Sequence, residues 1–230
     1  KLAGLYGDLS IFSFQRSKHL TTGDGGMIIT SSEPLAEYAR KFADLGYRTL
    51  QAEPVTNEDL KPKIQDPSFK RHQLIGYNYR MPEVCAAMGL SQLKKIELLT
   101  NQRILIANLY AEVVENCDWL KPQVVPKNYV HSYWTYVFEI SREKKISWQD
   151  FKHFFMKHGG ESFYGCWSLS YLEPALEGKV FSNGIKLQKG LCPVAESIQP
   201  NLVQLKTNFQ TMEKAKEQAE ILQKTVKYFN

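Results

Sequence analysis

"SFQRSKHLTTGDGGMIIT", residues 13–30, sets a lysine between a strand-like run and a glycine turn. Just upstream, "DLSIFSF" (8–14) alternates and is rich in β-forming residues, so it reads as a strand. Gly23-Asp24-Gly25-Gly26 turns the chain back, and "MIIT" (27–30) reads as a second, fully buried strand. Lys18 follows the first strand, has Arg16 nearby, and precedes a turn with little bulk to crowd a ligand. A lysine becomes nucleophilic when its neutral form is accessible, through partial desolvation or neighbouring positive charge. Taken by itself, Lys18 is either a solvated charge at a strand end or an amine held there for chemistry.

Working outward, Ser32 offers an N-cap and Pro34 suits a first helical turn, so the spacing predicts a helix over 33–46 closed by Gly46. Its Leu35, Tyr38, Ala39, Phe42 and Ala43 share one face. Residues 47–73 are polar, hold three prolines and show no period, a long excursion of the kind that is often functional or disordered. "RMPEVCAAMGLSQLKKIELL" restarts a helix near Pro82, and "NQRILIANLYAEVVENC" continues it as one long helix or two joined by a kink. The composition shifts at 118–130, which predicts a boundary between a first domain, 1–117, and a second, 118–230. In the second, "HSYWTYVFEIS" (131–141) is a strand, and "SWQDFKHFFMKHGG" is a helix with Ser147 and Asp150 at capping-box spacing. Residues 160–195 read as loop with short strands, and 211–229 as a helix with Met212, Ala215, Ala219, Leu222 and Val226 inward. Alternating strands and helices make this an α/β fold followed by a smaller α+β unit.

The 230 residues suffice for one large domain or two small ones, and 43% hydrophobic with 23% charged residues is ordinary globular usage. The net charge of +5 comes from scattered basic residues interleaved with acids, which speaks against a nucleic-acid partner. Cys85, Cys117, Cys166 and Cys192 lie far apart with no paired spacing, so no metal site is expected and the thiols are expected to be reduced and largely buried. No apolar run approaches the roughly 20 residues that span a bilayer. There is no signal-peptide pattern, so a cytoplasmic protein without a membrane partner is expected. The chain opens without methionine and runs straight into a strand, which points to a portion of something longer.

The whole stretch "GDLSIFSFQRSKHLTTGDGGMIIT" resembles the internal-lysine segment of the DegT/DnrJ/EryC1/StrS family, fold-type I pyridoxal-phosphate enzymes acting mainly on nucleotide-linked keto-sugars. That family carries a G-D-x-x-x-F-S-F strand, the Schiff-base lysine, and a G-[DE]-G-G turn. The resemblance implies that Lys18 is the catalytic, cofactor-linked residue and that the Ser13 hydroxyl meets the phosphate of pyridoxal 5′-phosphate. A second block, "LIGYNYRMPEVCAAMGLSQLKKI" (74–96), keeps the family's G-x-N-x-R-[ML] and A-A-x-G-x-x-Q-L positions. It implies that Asn78 reaches the phosphate of the partner subunit's cofactor, so that a homodimer shares its active sites. Taken bare, Asn78 is an ordinary turn residue, and Arg80 is either an ion-pair partner or an anion contact. A looser match at "HSYWTYVFEI" places His131 and Tyr133 toward the sugar, with a structural histidine as the blander reading. "LCPVAESIQPNLVQLKTN" resembles a late segment that supplies fold and wall.

What the resemblance implies is the end of a large cofactor domain plus a small C-terminal domain, acting as an aminotransferase with glutamate as amino donor and a nucleotide-sugar acceptor. Relatives hold, in a preceding part, the remaining phosphate donors, an aromatic residue that stacks on the pyridine ring and an aspartate that pairs with its nitrogen. Asp24 is not assigned that role. Two alternatives stand beside this. One is a truncated or companion chain that binds a partner subunit without catalysis. The other is the family's dehydratase branch, whose members carry histidine where Lys18 stands.

Overall fold

The structure is a computed structural model and describes residues 2–47 and 65–230. The chain forms two compact units, Lys1–Ile96 and Glu97–Asn230. The central part of the long excursion expected at 47–73 lies outside the described residues.

In the first unit, β1 (Ser10–Ser13) and β2 (Gly26–Ile29) pair antiparallel, with Ser10 opposite Ile29 and Ser13 opposite Gly26. The strand expected to be fully buried is not: Met27 and Ile28 are exposed, and Ile11 is 82% exposed. Among the described residues these two strands form a sheet of their own, with no third strand beside them. Helix α1 (Glu33–Ala43) starts after Ser32 with Pro34 in its first turn, though the Ser32 side chain makes no cap bond. It ends three residues short of Gly46, because Leu45 and Gly46 both take left-handed backbone angles. Helix α2 (Glu83–Leu93) begins after Pro82, and no residue in it is buried.

Of one long helix or two, two is the arrangement found: the chain turns at Lys94-Lys95 and resumes as α3 (Ile96–Val114). α3 belongs with the second unit rather than the first. Its Ile106, Ala107, Tyr110 and Val114 are buried in one cluster with Tyr136, Phe138, Phe151 and Leu222, so the unit boundary falls before it and not at 117/118. The composition shift at 118 marked a turn into a strand within that unit, β3 (Leu120–Pro122). β3, β4 (Thr135–Ile140), β5 (Tyr164–Gly165) and β6 (Leu202–Lys206) form an antiparallel sheet in the order β3-β4-β6-β5. Along β4 the pleat sends Tyr136, Phe138 and Ile140 into the core and leaves Thr135, Val137 and Glu139 half-exposed.

Helix α4 (Trp148–Lys157) is capped as its sequence predicts: Ser147 Oγ accepts the Asp150 N–H at 3.0 Å and donates to the Asp150 carboxylate at 2.6 Å. After a short α5 (Pro193–Ile198), helix α6 (Met212–Phe229) starts at Thr211, whose side chain accepts the Lys214 N–H. Ala215, Ala219, Leu222 and Val226 are buried as expected, and Met212 packs at the edge of the core. Phe154 stacks on Tyr228 at 3.9 Å between centroids and joins the two helices. The four cysteines are free, but only Cys117 is buried and Cys192 is exposed. No helix among the described residues is long and apolar enough to cross a membrane.

Candidate cofactor and substrate site

The loop joining β1 to β2 is held by its own hydrogen bonds. Phe14 donates its N–H to the Gly25 carbonyl at 2.9 Å and accepts from Thr22 N at 2.9 Å and Thr21 Oγ1 at 3.1 Å. Thr22 is buried, and its hydroxyl donates to the Asp24 carbonyl at 2.7 Å, closing the glycine turn. Gln15 organises the stretch before the lysine. Its N–H reaches Ser13 Oγ at 3.4 Å, its carbonyl accepts the Lys18 N–H at 2.9 Å, and its amide oxygen takes Ser17 N and Oγ at 2.9 and 2.7 Å. The loop therefore places an exposed hydroxyl, Ser13, and a half-buried amine, Lys18, on one hydrogen-bonded frame. That donor set fits a phosphorylated aldehyde: an amine for the carbonyl carbon and a hydroxyl for an anionic oxygen.

Asn78 and Arg80 lie in the same unit, on an extended segment that runs antiparallel to the C-terminal end of α1. Tyr77 N–H donates to Phe42 O at 2.7 Å, Tyr79 N–H to Ala43 O at 2.8 Å, and Leu45 N–H to Tyr77 O at 3.0 Å, so Asp44 and Asn78 face each other as a bridge pair. Alternation then divides the side chains. Tyr77 and Tyr79 stack on each other at 5.3 Å and 9°, and both rings meet Phe42. Asn78 and Arg80 leave on the other face, where Arg80 forms an ion pair with Asp44. Arg80 thus has the ion-pair partner that one of its two readings calls for.

His131 and Tyr133 belong to the second unit. Tyr133 donates its backbone N–H to His131 Nδ1 at 2.8 Å, and the rings lie 4.2 Å apart. Burial holds the imidazole pKa below its ordinary value. Thr207 Oγ1 donates to the Tyr133 carbonyl at 2.6 Å and accepts from Arg103 at 3.2 Å, fixing the entry into β4. Both residues are thus tied into the turn before β4, which accommodates the structural-histidine reading alongside the sugar-facing one.

Three features escaped the sequence reading. An open apolar groove of about 930 Å³ runs between the exposed faces of β1 and β2 and helix α1, lined by Ile11, Phe12, Ile28, Tyr38, Phe42 and Tyr79 among others. Of its residues, the sequence pattern marks 27–30 as a buried strand and Tyr38 and Phe42 as one helix face, and it gives no sign that they line an open groove. Asp44 sits just past the last apolar position of α1 and carried no motif signal. Glu196, in the late segment expected to form a wall, accepts Tyr171 Oη at 2.6 Å and Gly190 N–H at 2.8 Å. The Tyr171 hydroxyl, with these backbone donors, holds its pKa below the usual carboxylate value. No cluster of metal-binding side chains occurs among the described residues.

A family model described as the DegT/DnrJ/EryC1/StrS aminotransferase family matches residues 1–224. The chain is 31% identical over 134 residues to a GDP-perosamine synthase of Escherichia coli O157:H7, covering 58% of this chain and 32% of that protein. Its fold matches the crystal structure of an aminotransferase from Psychrobacter cryohalolentis with a TM-score of 0.77 at 22% identity, over 99% of this chain and 58% of the other. It matches an E. coli GDP-4-keto-6-deoxy-D-mannose-3-dehydratase with bound hydrated pyridoxal phosphate at 0.72 and 22%, over 96% and 56%. The chain spans about a third of the curated relative's length and a little over half that of the solved ones.

Proposed function

Because this chain belongs to the DegT/DnrJ/EryC1/StrS aminotransferase family, we propose that it is the C-terminal portion of a pyridoxal-phosphate-dependent sugar aminotransferase in which Lys18 is the catalytic amine. The observation that carries the reading is the Gln15-centred loop, which sets the Ser13 hydroxyl and the half-buried Lys18 on one frame within the family's lysine segment. When bound, the cofactor supplies an electron sink that stabilises negative charge on the carbon next to the substrate nitrogen.

The protein's own residues then divide the work. Lys18 Nζ would hold the aldehyde end of the cofactor and, once released by the amino donor, here assigned as glutamate, would act as the base that moves the proton at that carbon. The Ser13 hydroxyl would donate to a phosphate oxygen and the Asn78 amide to the phosphate at the site of a second copy, so that the working unit would be a homodimer. His131 and Tyr133 face the nucleotide-linked keto-sugar. Arg80, already paired with Asp44, serves as wall rather than as an anion clamp. Lysine rather than histidine at position 18 favours amino transfer over dehydration.

The test uses the chain expressed with the sequence that precedes it in its reading frame. Pyridoxal phosphate followed by borohydride is expected to leave a pyridoxyl label on the peptide containing Lys18, and Lys18→Ala is expected to abolish it. A protein that takes no label, or one in which Lys18→Ala keeps it, overturns the reading. Label without amino transfer to any nucleotide-linked keto-sugar supports instead a chain that binds the cofactor and serves a partner subunit.

A further inference from the structure

Asp44 meets the Asn78 segment twice. Its backbone is the bridge partner of Asn78, and its carboxylate holds Arg80, two residues further along the same edge. The opposite edge of the segment is fixed by different means, the stacking of Tyr77 and Tyr79 against Phe42. Close backbone approach adds a third constraint: a Cβ on Gly76 would lie 2.5 Å from Gly46 N and 2.8 Å from Phe42 O.

The two edges differ in kind. The aromatic edge is apolar contact, which resists separation but tolerates sliding. The Asp44–Arg80 pair is directional, because a planar guanidinium meets a carboxylate in a few fixed geometries. Arg80 is half exposed and Asp44 only 21% exposed, so the pair adds little to stability, in keeping with ion pairs at the surface. Through it, the same residue that bridges the Asn78 backbone also holds the side chain two positions on.

We infer that Asp44 is a positioning residue that acts through Arg80 to aim the Asn78 side chain at a phosphate. The inference rests on the reading of Asn78 as a phosphate donor given above. In this role Asp44 acts through Arg80 and not on a ligand. It withdraws the Arg80 charge from the shared edge and locks the register of the segment.

The experiment compares wild type, Asp44→Asn, Asp44→Glu, Arg80→Gln and the double variant Asp44→Asn/Arg80→Gln, each in the full reading frame. Three readouts are taken: pyridoxal phosphate dissociation by absorbance, amide exchange at Tyr77 and Tyr79, and the melting temperature. Asp44→Asn is expected to weaken cofactor binding about threefold to fivefold, the effect of losing one surface ion pair. Exchange at both amides is expected to speed up, with the melting temperature held. Asp44→Glu is expected to restore binding, and Asp44→Asn is expected to change nothing further in the Arg80→Gln background. Unchanged cofactor binding in Asp44→Asn, or an undiminished effect once Arg80 is gone, overturns the inference while leaving the Lys18 reading intact. If wild type takes up no cofactor, the Lys18 reading fails, and amide exchange then decides alone: faster exchange in Asp44→Asn supports the positioning role, and unchanged exchange overturns it.

Discussion

His131 accepts the backbone N–H of Tyr133 on its Nδ1 at 2.8 Å, and Tyr133 sits at φ +46°, a left-handed angle unusual for a tyrosine. An imidazole accepts at Nδ1 only when that nitrogen is unprotonated, so the turn before β4 requires neutral His131. Burial lowers its pKa in the same direction. A group whose folded pKa lies below its unfolded value contributes stability that is present above the unfolded value, near 6.5, and is lost as pH falls through the folded one. The second unit is therefore expected to lose stability on acidification below about pH 6.5, in part through this residue. An NMR titration of the His131 ring checks this, and a ring pKa above that of a free histidine is the contrary result.

Lys18→Arg keeps the positive charge of the loop but replaces an amine that can lose its proton with a guanidinium that cannot. If Lys18 moves the proton, amino transfer is expected to fall by at least about 10²–10⁴-fold, the usual contribution of a positioned acid–base group. The Thr22–Asp24 and Phe14–Gly25 bonds that shape the loop do not involve the side chain, so circular dichroism is expected to be unchanged. Activity within threefold of wild type in Lys18→Arg contradicts the assignment.

Gly46→Ala and Gly184→Ala separate backbone strain from backbone contact. Both glycines have positive φ, +76° and +82°. A Cβ at Gly184 meets nothing within 4 Å, so its cost is the left-handed penalty alone, about 1–2 kcal/mol. A Cβ at Gly46 would lie 1.9 Å from the Leu74 carbonyl oxygen, which cannot yield because residues 73–79 are bonded to the end of α1. Gly46→Ala is expected to destabilise its unit by clearly more than Gly184→Ala destabilises the other, and to release the Asn78 segment. Urea melts of the two variants decide; equal losses would mean that the 73–79 segment is held less tightly than its bonds imply.

Local chemistry was legible in the sequence wherever a residue acts on its neighbours. The Ser147–Asp150 capping box and the inward Ala215, Ala219, Leu222 and Val226 of α6 read correctly, because caps and helical period are short-range. The lysine loop was legible for the same reason: its bonds span at most eleven residues, from Phe14 to Gly25. What failed depends on distant contacts. Met27 and Ile28 look like core because their composition is that of a strand buried on both faces, yet burial is decided by whatever packs over them. The boundary at 117/118 failed because α3 is apolar on several sides, and periodicity does not say which unit claims a helix. Asp44 was invisible since its partner, Arg80, is remote in sequence and an ion pair leaves no spacing pattern.

The aromatic centre of the second unit offers the clearest stability test. Phe151 is fully buried, and its ring meets Trp119, Phe138 and Phe163 edge-on and stacks on Phe229, so one side chain touches β4, the start of β3, the β5 approach and the end of α6. Truncation to alanine removes the ring from water-free surroundings and leaves a cavity bounded by rigid rings, which collapse poorly. Phe151→Ala is expected to cost about 3–5 kcal/mol. Phe151→Leu fills most of the volume but loses the edge-to-face geometry, and is expected to cost about 1–2 kcal/mol. Because Phe151 lies in the second unit, the loss is expected in the transition that also exposes Trp119, whose fluorescence reports it directly. A Phe151→Ala protein that melts within about 1 kcal/mol of wild type would show that the ring cluster repacks freely, contrary to the close packing expected of such a core.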